Sequence, residues 1–184
     1  MILTDREIQI ALQTGQIIVE PAPSEKAFSS TTLDLTLGTS ALLFKPVTTG
    51  LKTHVDPGEE GYQSTEVIAQ ITEKYTIPAE GYKLEPHSFI LMWTEEFIDL
   101  PITSRIAARV EGKSSLARLG VGVHVTAPTI HAGFSGQVQL EVFNHGPLPV
   151  LLKPGMRVCQ LVFEQTLGVA QKGYSGQFYN QGTK

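Results

Sequence analysis

The stretch Glu111-Gly-Lys-Ser-Ser-Leu-Ala-Arg118 sets two hydroxyls, a lysine and an arginine on one short turn. Such a set can cradle an anion, and phosphate suits it best, because an arginine fork grips phosphate oxygens in pairs. The apolar run Ile106, Ala107, Ala108, Val110 reads as a strand that Gly112 breaks. Ser114 or Ser115 is then a natural N-cap for a short helix through Leu119, stopped by Gly120. Arg118 follows Ser114 by four residues, so both side chains fall on one helix face. A helix start leaving a strand also offers free N–H donors to an anion. Taken in isolation, the same residues fit a capped surface helix with solvated charges better than a site.

Gly112-Lys113-Ser114 has the letters of a P-loop ending, but that motif needs a glycine five residues before Gly112, where this chain has Ala107. A P-loop kinase or ATPase is excluded, and no GxGxxG fingerprint is present. A second informative stretch runs from His124 to Asn144. Two strands there flank a turn-rich connection around Ala132-Gly133, which is expected to expose backbone groups and the ring of Phe134. Such backbone edges could read a planar base. Glu141 alternates with Leu140 and Val142 and must point away from them. It is a solvated strand residue if those two face the core, and a carboxylate on a rigid element if the barrel face is a site.

Cys159 is the only cysteine, which excludes an intramolecular disulfide and the thiolate clusters of structural zinc. It sits in an alternating strand pattern and is expected to be buried and inert. His54, His87, His124, His131 and His145 show no HExxH or paired metal spacing, so no protein-bound transition metal is expected.

The elements that must position these groups follow from composition and pattern. A chain of 184 residues, 41% hydrophobic, is expected to form one domain with a real core. Its net charge of −4 gives no general pull toward nucleic acid, so an anion must be met by a local basic cluster. No run of about 18 apolar residues suits a membrane span, and no basic, then apolar, signal peptide opens the chain. A cytoplasmic location with no membrane partner is expected. Thr4 and Glu7 form a capping box for a first helix carrying Ile8, Ala11 and Leu12 on one face, with Gly15 past its end. Strands then dominate: Thr31–Leu37, Ala41–Phe44, Glu66–Ile71, Phe89–Thr94, Ser104–Val110, Val121–Val125, Gly136–Asn144, Val150–Leu152 and Met156–Glu164. In the first of these, Leu33, Leu35 and Leu37 share one face, with Asp34 and Thr36 on the other. Many short strands with Gly and Pro between them predict an all-β, distorted jelly-roll-like barrel with a short N-terminal helix and a short helix after Gly112. Thr48–Ser64 reads as a long loop, and 168–184 as a polar tail outside the core.

Several segments, taken in order, resemble the dCTP deaminase branch of the dUTPase-like superfamily. They are Thr32-Leu-Asp-Leu-Thr-Leu-Gly38, Gly-Lys-Ser-Ser-Leu-Ala-Arg-Leu-Gly120, His-Val-Thr-Ala127, Ala-Gly-Phe-Ser-Gly136, Leu-Glu-Val-Phe-Asn144 and Pro-Gly-Met-Arg-Val-Cys-Gln-Leu161. The opening Leu3-Thr-Asp-Arg-Glu-Ile8 is similar too, and the likeness runs to about Glu164. It implies a β-barrel homotrimer with sites between subunits, deaminating dCTP to dUTP and ammonia without zinc in pyrimidine deoxynucleotide metabolism. Mg2+ would ride on the triphosphate, and dTTP is a possible feedback inhibitor. The H-x-E and P-C-x-x-C pattern of zinc deaminases is missing here. By position, Glu141 corresponds to the general base, with Ser114 and Arg118 as its essential partners. Lys113 and Ser115 match phosphate contacts, Thr126 and Ala127 the base pocket, and Phe134 the aromatic against the deoxyribose. Tyr174 and Gln181 match the tail that closes over the triphosphate.

Two departures shape the expectation. Where the superfamily has Asp in an Ile-Asp-x-Gly-aromatic pattern, this chain has Ile130-His131-Ala-Gly-Phe134. That Asp orients the water attacking the α-phosphate in dUTPases and bifunctional enzymes, and it meets the sugar 3′-hydroxyl. His131 could still bond the hydroxyl and can act as a base near neutral pH. Gln177 stands where a phosphate-binding Lys is common. A monofunctional dCTP deaminase is therefore expected, with a dUTP diphosphatase, a bifunctional enzyme and a silent nucleotide-binding regulator as alternatives.

Overall fold

The structure is a computed structural model that describes residues 1–46 and 54–173. Helix α1 (Asp5–Gln13) opens the chain, and β1 (Ile18–Glu20), β2 (Phe28–Ser29) and the long β3 (Thr32–Phe44) follow. After helix α2 (Ser64–Ile71) come β4 (Thr72–Thr76), β5 (Tyr82–Leu84), β6 (Phe89–Asp99) and β7 (Ile106–Gly112). Helix α3 (Ser114–Ala117), β8 (Val121–Gly122), β9 (Thr129–Ile130), β10 (Ser135–Asn144), β11 (Val150–Leu152) and β12 (Arg157–Gln165) complete it.

Among the described residues, ten strands form one antiparallel sheet whose central path is β8-β10-β6-β3-β12-β7-β9; β1 pairs with β6, and β2 and β4 pair with β3. A small β5–β11 sheet stands beside it. The result is the expected mostly-β architecture, a curled half-barrel. Alternation gives the curled sheet its inner face: along β10, Val138, Leu140 and Val142 are buried while Gln137, Gln139 and Glu141 point outward. Phe163, Leu33, Leu35, Leu37, Ile90 and Met92 meet in the interior, all at or below 1% exposed. Truncating a ring such as Phe163 to Ala typically costs about 3–5 kcal/mol, because the void cannot fully collapse.

Several expectations change in detail. Glu66–Ile71 is part of helix α2, not a strand. Val67, Ile68 and Ile71 fall at helical spacing, and the Thr72 hydroxyl closes the last turn onto the Ile68 carbonyl at 2.6 Å. Of Val121–Val125 only Val121–Gly122 stays in a ladder. Ser104 lies in a 3-10 turn, so that strand starts at Ile106. Thr31–Leu37 and Ala41–Phe44 merge into β3. The capping box is not reciprocal: the Thr4 hydroxyl binds the Glu7 carboxylate and lowers its pKa, rather than accepting a backbone N–H. Leu12 is only half-buried beside the fully buried Ile8 and Ala11.

The polar face of β3 is not solvated. Asp34 is 4% exposed, and Thr36 donates its N–H and hydroxyl to the carboxylate of Glu96, itself 8% exposed. Burial raises the Glu96 pKa above its ordinary value, although the Thr36 bonds pull the other way. Burial likewise pushes the Cys159 thiol far up, so this cysteine is an inert core residue.

Candidate active site

Glu141 sits in the middle of β10, between Leu140 and Val142, both at or below 1% exposed. The chain leaves β8 and folds over this outward face, so Glu141 is neither core nor freely solvated. Glu141 N donates to the Val123 carbonyl at 3.0 Å, and Val125 N donates to Glu141 Oε2 at 2.7 Å. One carboxylate oxygen is thereby fixed by backbone. The other has no such tether in the described contacts.

A cleft of about 300 Å³ opens above it, at the small end of the range for small-molecule sites. Its apolar floor includes Val110, Val138 and Leu140, while Ala127, His131, Phe134 and Glu141 line it as well. Glu141 is the single carboxylate of that lining. Phe134 is 6% exposed: Leu100 accepts Gly133 N at 2.7 Å and donates to the Phe134 carbonyl at 2.8 Å, turning the ring inward. The expectation of an exposed ring fails because a turn signal says where the chain reverses, not what the turn packs against. His124, which sequence reasoning passed over, also lines the cleft, with Nδ1 buried and no hydrogen-bond partner among the described residues. Its signal was its place at the head of His-Val-Thr-Ala127.

The cradle lies elsewhere in the chain's own surface. Lys113, rather than a serine, is the N-cap of α3, and no side chain caps that helix. Ser114, Ser115 and Arg118 are exposed, and none lines the cleft. Neither the Ser114 hydroxyl nor the Arg118 guanidinium has a hydrogen bond or ion pair among the described residues. Lys113 is engaged: its Nζ lies 2.5 Å from Asp34 Oδ1. Thr126 is exposed just outside the cleft lining. Tyr174 and Gln181, and Gln177, lie outside the described residues.

The far end of the cradle is fastened by close backbone packing. His145 N donates to the Gly120 carbonyl at 2.8 Å, and a Cβ on Gly146 would fall 2.0 Å from the Leu119 carbonyl oxygen. Only glycine permits that approach. Buried Asn144 holds the neighbouring turn, donating to the Leu84 and Leu148 carbonyls and accepting from Gly146 N. Among the described residues no three His, Cys, Asp or Glu side chains come together to hold a metal, and no helix is long and apolar enough to cross a membrane.

This curled sheet is the fold of the dUTPase-like proteins. A 2′-deoxycytidine 5′-triphosphate deaminase from Agrobacterium tumefaciens superposes with a TM-score of 0.67 at 23% identity, over 88% of this chain and 47% of that one. The dUTPase of phage phi11 of S. aureus gives 0.50 at 10% identity, over 87% and 96%. The chain belongs to the dCTP deaminase-like family, whose model matches residues 2–166. A relative from Methanobrevibacter smithii, named a dUMP-forming dCTP deaminase, is 39% identical over 94% of this chain and 84% of its own. One from Rhodospirillum rubrum, named a dCTP deaminase, is 38% identical over 95% and 88%.

Proposed function

We propose that this protein is a cytoplasmic, zinc-independent dCTP deaminase that releases dUTP and ammonia. The observation that carries it is Glu141: a lone carboxylate on a rigid strand, held at one oxygen by Val125 N–H, in a cleft sized for a nucleoside. Glu141 takes a proton from water as its oxygen bonds to C4 of cytosine, giving a tetrahedral centre. The C4–N3 double bond opens as the oxygen adds; the proton on Glu141 then passes to the exocyclic amine, and the C4–N bond breaks to release ammonia while the remaining hydroxyl proton moves to N3 and the C4 carbonyl forms. Ala127 and Thr126 flank the base, and Phe134 packs on the deoxyribose. Mg2+ enters as part of the substrate, on the triphosphate.

Ser114, Ser115 and Arg118 contribute from a second copy of the chain in a homotrimer. Their exposure, and their absence from the lining of their own cleft, support that reading. Across the interface Arg118 would favour the ionised form of Glu141, as an opposite charge nearby does, and Ser114 would position water or phosphate. Tyr174 and Gln181 would close over the triphosphate, where dTTP would compete.

Relatives named as dUMP-forming favour a second reading, in which dUTP is also hydrolysed. Against it stands His131, which lines the cleft where the hydrolytic aspartate is expected. Mass spectrometry of separate incubations with Mg–dCTP and Mg–dUTP distinguishes the two. The proposal expects dUTP and ammonia from dCTP and no change in dUTP. Recovery of dCTP unchanged overturns it, and dUMP with pyrophosphate establishes the second reading.

A further inference from the structure

Phe143 shares the outward face of β10 with Glu141, two residues further along the strand. Its ring lies over β8: a Cβ on Gly122, its cross-strand partner, would fall 2.1 Å from Phe143 Cζ and 2.5 and 2.7 Å from the two Cε atoms. A ring laid on a facing glycine covers backbone that has no side chain of its own, and so ties the two strands together. The ring also meets the His145 imidazole, with 4.4 Å between centroids and 64° between planes. His145 N donates in turn to the Gly120 carbonyl at 2.8 Å, so ring and imidazole both engage the stretch that enters β8. That strand is only Val121–Gly122, at one end of the sheet path. Three residues past Gly122, Val125 N–H meets Glu141 Oε2 at 2.7 Å. Val121 and Val123 anchor the stretch from inside, at 2% and 1% exposed. Val125 is 55% exposed, so its own side chain does not hold it, and with Phe143 and His145 it lines one hollow.

We propose that Phe143 is a positioning residue for Glu141: its ring, seated on Gly122, fixes where the chain leaves β8 and thereby holds the Val125 N–H on the carboxylate. This rests on the reading of Glu141 as the base acting on dCTP. A carboxylate that must take its proton from one water loses rate steeply when it is misplaced by about 1 Å. Two roles for the ring predict different losses. A ring that only fills space would cost Tm when cut back and leave kcat unchanged. A ring that positions would cost kcat in folded protein and leave KM near wild type, because the group it serves works only in the transition state.

The test is steady-state kinetics on Mg–dCTP beside 15N-valine spectra of the same proteins, with the Val125 amide signal assigned through Val125→Ile. Phe143→Leu removes the ring atoms above Gly122 and should lower kcat about tenfold with KM within about twofold. Phe143→Tyr keeps the ring and should stay within about twofold of wild type in both. Gly122→Ala should also lower kcat, and combined with Phe143→Leu it should cost less than the two single losses multiplied, because the methyl enters space the ring has left. In Phe143→Leu the Val125 amide should move toward its position in Glu141→Gln, where the charged acceptor is gone, and in Phe143→Tyr it should stay in place. A wild-type kcat for Phe143→Leu, a loss in KM alone, or an unmoved Val125 amide overturns the proposal. Should Phe143→Leu fail to fold, His145→Ala decides, since its position is exposed and it removes the imidazole that meets the ring. The amide should then shift in the same direction with kcat about threefold lower, and an unmoved amide overturns the proposal. If wild type turns over no dCTP, the dCTP reading falls, and the Val125 amide alone decides whether Phe143 positions Glu141.

Discussion

The cleft around Glu141 and the cradle around Arg118 solve the problem of placing charge in opposite ways. The cleft is finished within one chain, with an apolar floor, a ring turned inward and a carboxylate tethered by backbone. The cradle shows its working groups outward and keeps its order behind them, in the buried Asp34 pair and the Gly120–Gly146 contact. A group that acts on a substrate held by its own chain is best fixed from within. If, as proposed, the cradle acts on a neighbouring copy's substrate, its groups must be exposed, and their rigidity must come from the layer beneath.

The largest expected effect tests the first half of this contrast. Glu141→Gln should lower kcat by about 10²–10⁴-fold, the range lost with a general acid–base group, while dCTP affinity measured by calorimetry stays close to wild type. A wild-type rate breaks the assignment. Arg118→Ala should also be inactive, and remixing it with Glu141→Gln tests the second half. If the two regions serve different copies, equal refolded mixtures regain about a quarter of wild-type activity, since each hybrid site draws its halves independently. No recovery would put both groups in one chain's site.

A smaller effect is expected where the two regions join. Gly146→Ala forces a methyl against the Leu119 carbonyl and should cost about 1–3 kcal/mol, a lowering of Tm by roughly 2–10 °C. An unchanged melt would mean that the cradle is not held there.

The smallest effect concerns Glu96 on β6, whose carboxylate meets Thr36 of β3. Glu96, pushed up by burial, binds its proton more tightly in the folded protein than in the unfolded chain. Its contribution is therefore fullest at low pH and is lost as pH rises through the folded value. Relative to Glu96→Gln, wild type should gain Tm as pH falls from neutral toward the ordinary glutamate range. Parallel melting curves would show that the carboxyl is not perturbed.

Much of this was legible in the sequence. The alternation around Glu141 told which way its side chain points, and Gly112 through Gly120 marked the short helix. Alternation does not tell whether a face is covered, so Asp34 read as a polar strand residue when it is buried. Turn chemistry hid the burial of Phe134 for a related reason, since local backbone signals carry no information about distant partners. α2 was misread because valine and isoleucine favour strands while their spacing at 67, 68 and 71 favours a helix. The placement of Ser114 and Arg118 outside their own cleft depends on the course of the whole sheet, which no local motif encodes.

The register shift in β6 limits how this chain can vary in length. Where Gln137 faces Phe97 and Gln139 faces Trp93, one residue of β10 lies opposite three of β6, an excess of two. An even excess leaves Ile98 and Met92 on the same side of the sheet, both buried, and lets Glu96 reach Thr36 without turning the strand over. Insertions or deletions here are therefore tolerable only in pairs of residues, because a single-residue change would exchange inside for outside along the rest of the strand.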